Sequence, residues 1–262
     1  MSKNLFHNPA SGLILIGLLA LASATCLISC GDTSTDGNPK SNWVINGVLA
    51  HNGETGLVNV YFELAKDDAP YISAILKVDG QSVQSNANGT YTATLDPDLL
   101  ADTSEIEIST PIDQFQFKYL IAVPDSFSFD FDQLPGNQVF AATNVVNVRW
   151  NASNFRGYPG GYFVVTKPAS SANPASGEFG LFSGQPGTIS RDAFRTTQGD
   201  YQTGNYNVWV VARVAEPFSI PALPFAIPAG VFVPNIDRVG VTGQIGALYI
   251  SPHKVITAVA GI

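Results

Sequence analysis

An all-β chain of two antiparallel β-sandwich domains, preceded by a removable N-terminal segment, is the fold this sequence predicts. Three observations predict it. Beyond residue 42, apolar and β-branched residues come in short alternating runs such as Val58–Leu64 and Tyr206–Ala212, with the period of two expected of half-buried strands. Those runs are separated by turn-forming residues, among them most of the chain's 24 glycines and 17 prolines. No stretch has a 3.6-residue apolar period; Leu95–Asp102 (LDPDLLAD) has room for one helical turn at most.

The first 30 residues are set aside because they have the layout of a targeting segment. Lys3 and the amino terminus give the positive end, and Leu13–Ala24 gives an apolar run. That run is shorter than the ~20 helical residues a membrane span needs, so a cleaved signal is expected rather than a permanent anchor. Leu27-Ile28-Ser29-Cys30 resembles the lipobox of bacterial lipoproteins. The resemblance implies that the Cys30 thiol is diacylglycerated, that cleavage falls before Cys30, and that the new amino group is acylated. Cys26 is the rival position, but Ser23-Ala24-Thr25 lacks the leucine the pattern favours. Two or more acyl chains hold a protein on a bilayer, at ~0.8 kcal/mol per buried methylene. Residues 30–41 then read as a flexible tether. In enterobacterial lipoproteins an aspartate directly after the cysteine retains the protein at the inner membrane. Here that position is Gly31, so the outer membrane is expected.

Charge narrows the partners. Removal of residues 1–29 takes away Lys3 and no acidic residue, so the net charge of −8 becomes −9. A chain this acidic is a poor match for nucleic acid or anionic lipid. Cys30 is then the one cysteine left, which excludes an internal disulfide and leaves stability to the apolar cores.

The first domain is expected over residues 42–133, with strands at Trp43–Leu49, Val58–Leu64, Ile72–Val78, Thr90–Leu95, Glu105–Ser109, Phe115–Val123 and Phe127–Asp132. Asp79-Gly80 between alternating runs predicts a tight hairpin. Seven strands in this length suit a Greek-key sandwich.

The second domain is expected over residues 137–262. Val146-Asn147-Val148-Arg149-Trp150 resembles the fibronectin type III strand that ends in a core tryptophan, and Tyr162–Val165 resembles the strand after it. Tyr206-Asn207-Val208-Trp209-Val210-Val211-Ala212 is similar to that family's Y-x-V-x-V-x-A strand. The resemblance implies an immunoglobulin-like sandwich serving as a spacer or recognition module, a fold that hosts many functions. This domain is longer than the family's usual ~90 residues, and two insertions, Lys167–Gly187 and Glu216–Asn235, account for the excess.

Catalytic patterns are absent. His51 and His253 are the two histidines beyond the leader, and neither adjoins a Ser, Cys or Asp pattern of a triad; both are expected in exposed turns. Gly180-Leu181-Phe182-Ser183-Gly184 does not have the nucleophile-elbow spacing. No zinc pattern, P-loop or dinucleotide fingerprint is present, so no cofactor is expected.

Three places invite a binding role. Asp125, Asp130 and Asp132 lie at the domain boundary, with Phe127, Phe129 and Phe131 facing inward; their oxygens suit Ca²⁺, or form a solvated strand face that blocks edge pairing. Trp209 faces away from the Tyr206/Val208/Val210 set, where it stacks on a ligand or is covered by one of the two insertions. The proline-rich segment Glu216–Asn235, with Phe218 and Phe225, packs along its own protein or docks a partner. The expectation is a lipid-anchored envelope protein, not an enzyme, that binds or scaffolds a surface glycan or another envelope protein. The alternative is an extracytoplasmic, glycosidase-like hydrolase using a carboxylate pair that sequence does not single out.

Overall fold

In the computed structural model of the chain, strand after strand forms where side chains alternate between an apolar and a polar face. The structure describes residues 42–132, 134, 139–150, 162–167, 176–182, 186–196, 199–215 and 234–260. All of them fall within one compact unit, Pro39–Ile262. The N-terminal half contributes β1 (Trp43–Asn52), β2 (Leu57–Lys66), β3 (Ala69–Pro70), β4 (Ile75–Val78), β5 (Gln81–Ser85), β6 (Thr90–Leu95), β7 (Thr103–Thr110) and β8 (Phe115–Ala122). The remainder contributes β9 (Phe129–Asp132), β10 (Val139–Ala141), β11 (Val146–Trp150), β12 (Tyr162–Lys167), β13 (Ser176–Leu181), β14 (Gly187–Ile189), β15 (Gly204–Val214), β16 (Ile236–Arg238), β17 (Val241–Ile250) and β18 (Lys254–Val259). The helices described are single 3-10 turns at Pro97–Leu99 and Arg191–Phe194, and none is long and apolar enough to cross a membrane. The protein is all-β.

Two layered cores follow from the strand parities. In β2, Val58, Val60, Phe62 and Leu64 alternate inward and meet Leu76, Val78, Ile106, Ile108, Phe117 and Ile121 from β4, β7 and β8. Strand β5 joins these layers because it pairs with β6 on one side and β4 on the other. A second core forms where Phe129, Phe131, Val146, Val148 and Trp150 of β9 and β11 face Phe163, Val165, Tyr206, Val208, Val210 and Ala212 of β12 and β15. Trp150 stacks there on Phe182, with ring centroids 5.0 Å apart. Tyr206 sends its hydroxyl back to the Gln202 carbonyl at 3.1 Å, the tyrosine-corner arrangement of immunoglobulin-like sandwiches.

Several features depart from the sequence expectation. The sheets are not purely antiparallel: β1 runs parallel to β17 over its whole length, and β10 runs parallel to β18. The β1–β17 ladder joins strands nearly 200 residues apart into one continuous sheet, and β17 lends Ile245 and Ala247 to the first core. Gly243 makes that ladder possible. Its φ is +150°, and a Cβ there would lie 1.9 Å from the Ile45 carbonyl oxygen. Strand β9, expected with the first seven strands, pairs instead with β11, and its phenylalanines belong to the second core. Within the expected insertion Lys167–Gly187, β13 is a strand paired with β12. The Asp79-Gly80 hairpin forms as expected, both residues having positive φ between the paired Val78 and Gln81.

Candidate binding face

The outer face of the continuous sheet changes character along its width. Over β1, β12, β15 and β17 it is apolar and covered: Val48, Ala50, Val164, Trp209, Val211, Leu248 and Ile250 form a third buried cluster, with Tyr61 of β2 packed against its edge. Beyond Tyr61 the face becomes polar, with Glu63 as its charged group on β2. Asn59 and Tyr61 on β2 lie directly across from Thr94 and Thr92 on β6, and Gln84 on β5 lies across from Thr92.

A wedge opens at this point. The β5–β6 pairs are Gln84–Thr92 and Ser85–Tyr91; Gln81, Ser82 and Val83 of β5 pair with β4 instead. The divergence leaves a cleft of about 450 Å³ lined by Asn59, Tyr61, Ser82, Gln84, Thr92 and Thr94, together with Val60, Ala93 and Leu95. Val60 and Leu95 are buried members of the first core, on the side of the β2–β6 ladder opposite Asn59, Tyr61, Thr92 and Thr94. The lining is hydroxyl and amide throughout. Thr94 Oγ1 contacts Asn59 Oδ1 only at 3.5 Å, and Asn86 Nδ2 donates to Thr92 Oγ1 at 3.3 Å. Tyr61 Oη donates to Glu63 at 2.6 Å, and burial together with that carboxylate pushes its hydroxyl pKa well up, so it stays protonated. The bond fixes the ring as one wall of the cleft.

A second polar cluster sits at the edge of the covered apolar face. Glu54, in the β1–β2 turn, accepts from Trp209 Nε1 at 2.8 Å and from the His253 backbone amide at 3.1 Å, and its Oε1 lies 2.6 Å from His253 Nδ1. Burial acts to raise the Glu54 pKa, but the hydrogen bonds from His253 and Trp209 outweigh it and hold the carboxyl below its ordinary value. His51 lies close by in sequence but elsewhere in role: it stands edge-on to Tyr249, and burial lowers its pKa.

The residues singled out from sequence fare differently. Trp209 has the parity expected, opposite Tyr206 and Val208, but only 6% of it is exposed, so it is a packing residue and not a platform for a ligand. His253 lies in an exposed turn between β17 and β18, as expected, where it meets Glu54; His51 is instead half-buried at the end of β1. Asp130 and Asp132 do share the outer side of β9, where Asp130 pairs with Lys254 at 3.2 Å and Asp132 with Arg149 at 3.0 Å. Asp125 instead lines a small hollow of about 140 Å³ with His51 and Asp102. Among the described residues no three His, Cys, Asp or Glu side chains gather as metal ligands, so the three aspartates do not form the calcium cluster considered from sequence. Cys30, Phe218 and Phe225 lie outside the described residues.

The cleft residues were missed because β5, Gln-Ser-Val-Gln-Ser, turns a single apolar side chain inward, Val83, and has no apolar alternation to reveal it. The alternation of threonines in Thr90–Leu95 was the available signal for a polar outer face.

No family model and no curated sequence matches the chain. Among solved structures, it is similar to the fibronectin(III)-like modules of Clostridium thermocellum CbhA at 11% identity and a TM-score of 0.30, over 83% of this chain and 93% of that one. It is also similar to the Yersinia pseudotuberculosis adhesin InvE at 12% identity and a TM-score of 0.24, over 85% of this chain and 61% of that one. Likeness this distant says nothing of activity.

Proposed function

We propose that this protein is a lipoprotein of the bacterial envelope, held through acylated Cys30 at the outer membrane, and that it binds a component of the envelope without catalysing a reaction. The observation that carries the binding role is the wedge between β5 and β6. It is a cleft of ordinary ligand-site size, with hydrogen-bonding side chains and the Tyr61 ring along its lining. The lipobox-like Leu27–Cys30 and the polar stretch after it support the anchored placement.

The test is retention of the full chain, in detergent micelles, on immobilised envelope fragments. Thr94 is exposed, and Thr94→Trp puts an indole into the wedge without touching a core. Retention of the parent chain, lost in Thr94→Trp while the thermal midpoint stays the same, is the expected result. Equal retention of both chains would remove the wedge as the binding site.

A further inference from the structure

We propose that the occupant of the wedge is an uncharged oligosaccharide; this rests on the reading of the wedge as a binding site and names its ligand class. Three observations converge. First, the six polar lining residues, Asn59, Tyr61, Ser82, Gln84, Thr92 and Thr94, carry no formal charge. A phosphorylated or uronic ligand would bring anionic charge into a site with no cation to meet it, against a chain of net charge −8. Lys77, opposite Ser82 by register, is outside the lining and lies across from Glu107 on its other side.

Second, the donor and acceptor inventory suits vicinal hydroxyls. Asn59 and Gln84 each bring an amide that donates and accepts at once, and Ser82, Thr92 and Thr94 bring hydroxyls that do either. No hydrogen bond from the Ser82 or Gln84 side chain to another described residue occurs, and both are exposed, so the hydroxyl and the amide are open to a ligand in exchange for water. A sugar edge, with adjacent hydroxyls that each donate and accept, satisfies such a set; an aliphatic ligand would leave it desolvated and unpaired.

Third, the cleft is amphipathic in the way a sugar ring is. The Tyr61 ring, held by its bond to Glu63, closes one side, and the part-exposed Ala93 adds a methyl to the lining. The C–H face of a pyranose fits against such a surface while its hydroxyl edge meets Asn59, Gln84 and the threonines. The rival occupant is an extended peptide added to β6 where β5 has left it, since residues 93–95 of β6 have no β5 partner. The clustering of outward amides and hydroxyls, which backbone pairing does not need, favours the sugar.

The experiment titrates the full chain in detergent micelles with cellohexaose, maltohexaose and N-acetylchitohexaose, and in parallel with a galacturonate hexamer and an extended Thr/Val peptide. The expected result is binding of at least one neutral hexaose with little dependence on salt. Asn59→Ala and Gln84→Ala should each weaken it about tenfold, as loss of one net hydrogen bond does, with unchanged thermal midpoints. Binding of the galacturonate or the peptide alone overturns the proposal, as does neutral binding that both substitutions leave intact. Failure of all three neutral hexaoses, with envelope retention still lost in Thr94→Trp, overturns the ligand class but leaves the binding site standing. Retention indifferent to Thr94→Trp removes the site itself.

Discussion

Truncation of Trp209 to alanine separates a packing residue from a ligand platform. Trp209 is 6% exposed, and its neighbours in the third cluster are Val48, Ala50, Val164, Val211, Leu248 and Ile250. Removal of a buried indole leaves a large void and costs about 3–5 kcal/mol. It also removes the donor that meets Glu54 at 2.8 Å. Glu54 is partly exposed and keeps His253, so that bond adds only about 1 kcal/mol. Trp209→Phe keeps most of the apolar contact and loses the bond, for about 1–2 kcal/mol. For a domain of this size each kcal/mol lowers the thermal midpoint by roughly 2–4 °C, so Trp209→Ala falls by about 10 °C and Trp209→Phe by about 4 °C. Circular dichroism melts of the full chain, with a Glu54→Gln/Trp209→Phe double-mutant cycle, read both numbers and their coupling. A Trp209→Ala chain that melts within about 1 °C of the parent would refute the packing role.

Further outcomes follow from the same structure. Cys30→Ala should release the chain from the membrane and abolish metabolic labelling with palmitate; a variant that stays bound and labelled contradicts the anchor. Stability should fall on acidification in two stages. The fold lowers the pKa of His51, so its contribution is present above the ordinary value of 6.5 and lost as pH drops through the lower folded value. Glu54, also lowered, does the same below 4.5. Melts from pH 8 to pH 3.5 should therefore show a declining midpoint, with the lower stage reduced in Glu54→Gln and the rest of it left to Asp113, Asp130 and Glu107, whose pKa values are also lowered; a midpoint that rises on acidification would refute the assignment. Gly243→Ala should cost more than about 3 kcal/mol, since the new methyl meets backbone at β1 and the residue sits at positive φ. A normal melt for Gly243→Ala would contradict the β1–β17 ladder.

Local pattern made much of this fold readable. Strict alternation placed Tyr206, Val208, Val210 and Ala212 in one core and Trp209 on the opposite face, and it placed Phe127, Phe129 and Phe131 inward. The Asp79-Gly80 dipeptide gave a hairpin because both residues tolerate positive φ. What escaped sequence was set by long-range pairing. Nothing near Trp43 announces Val241 as its parallel neighbour, nor does Phe129 announce Trp150. Glu54 reads as a turn residue until the fold brings it to His253, 199 positions away. The wedge is hidden for a further reason: each lining strand looks like an ordinary polar edge, and the cleft exists only because β5 changes partners between Ser82 and Gln84.

Amide hydrogen exchange of the full chain, with and without the envelope material it retains, tests the binding face most directly. Slowed exchange confined to residues 59–61, 82–84 and 92–95 is the predicted result, because those backbones line the wedge. Protection that leaves these three segments unchanged and appears elsewhere on the chain would contradict it.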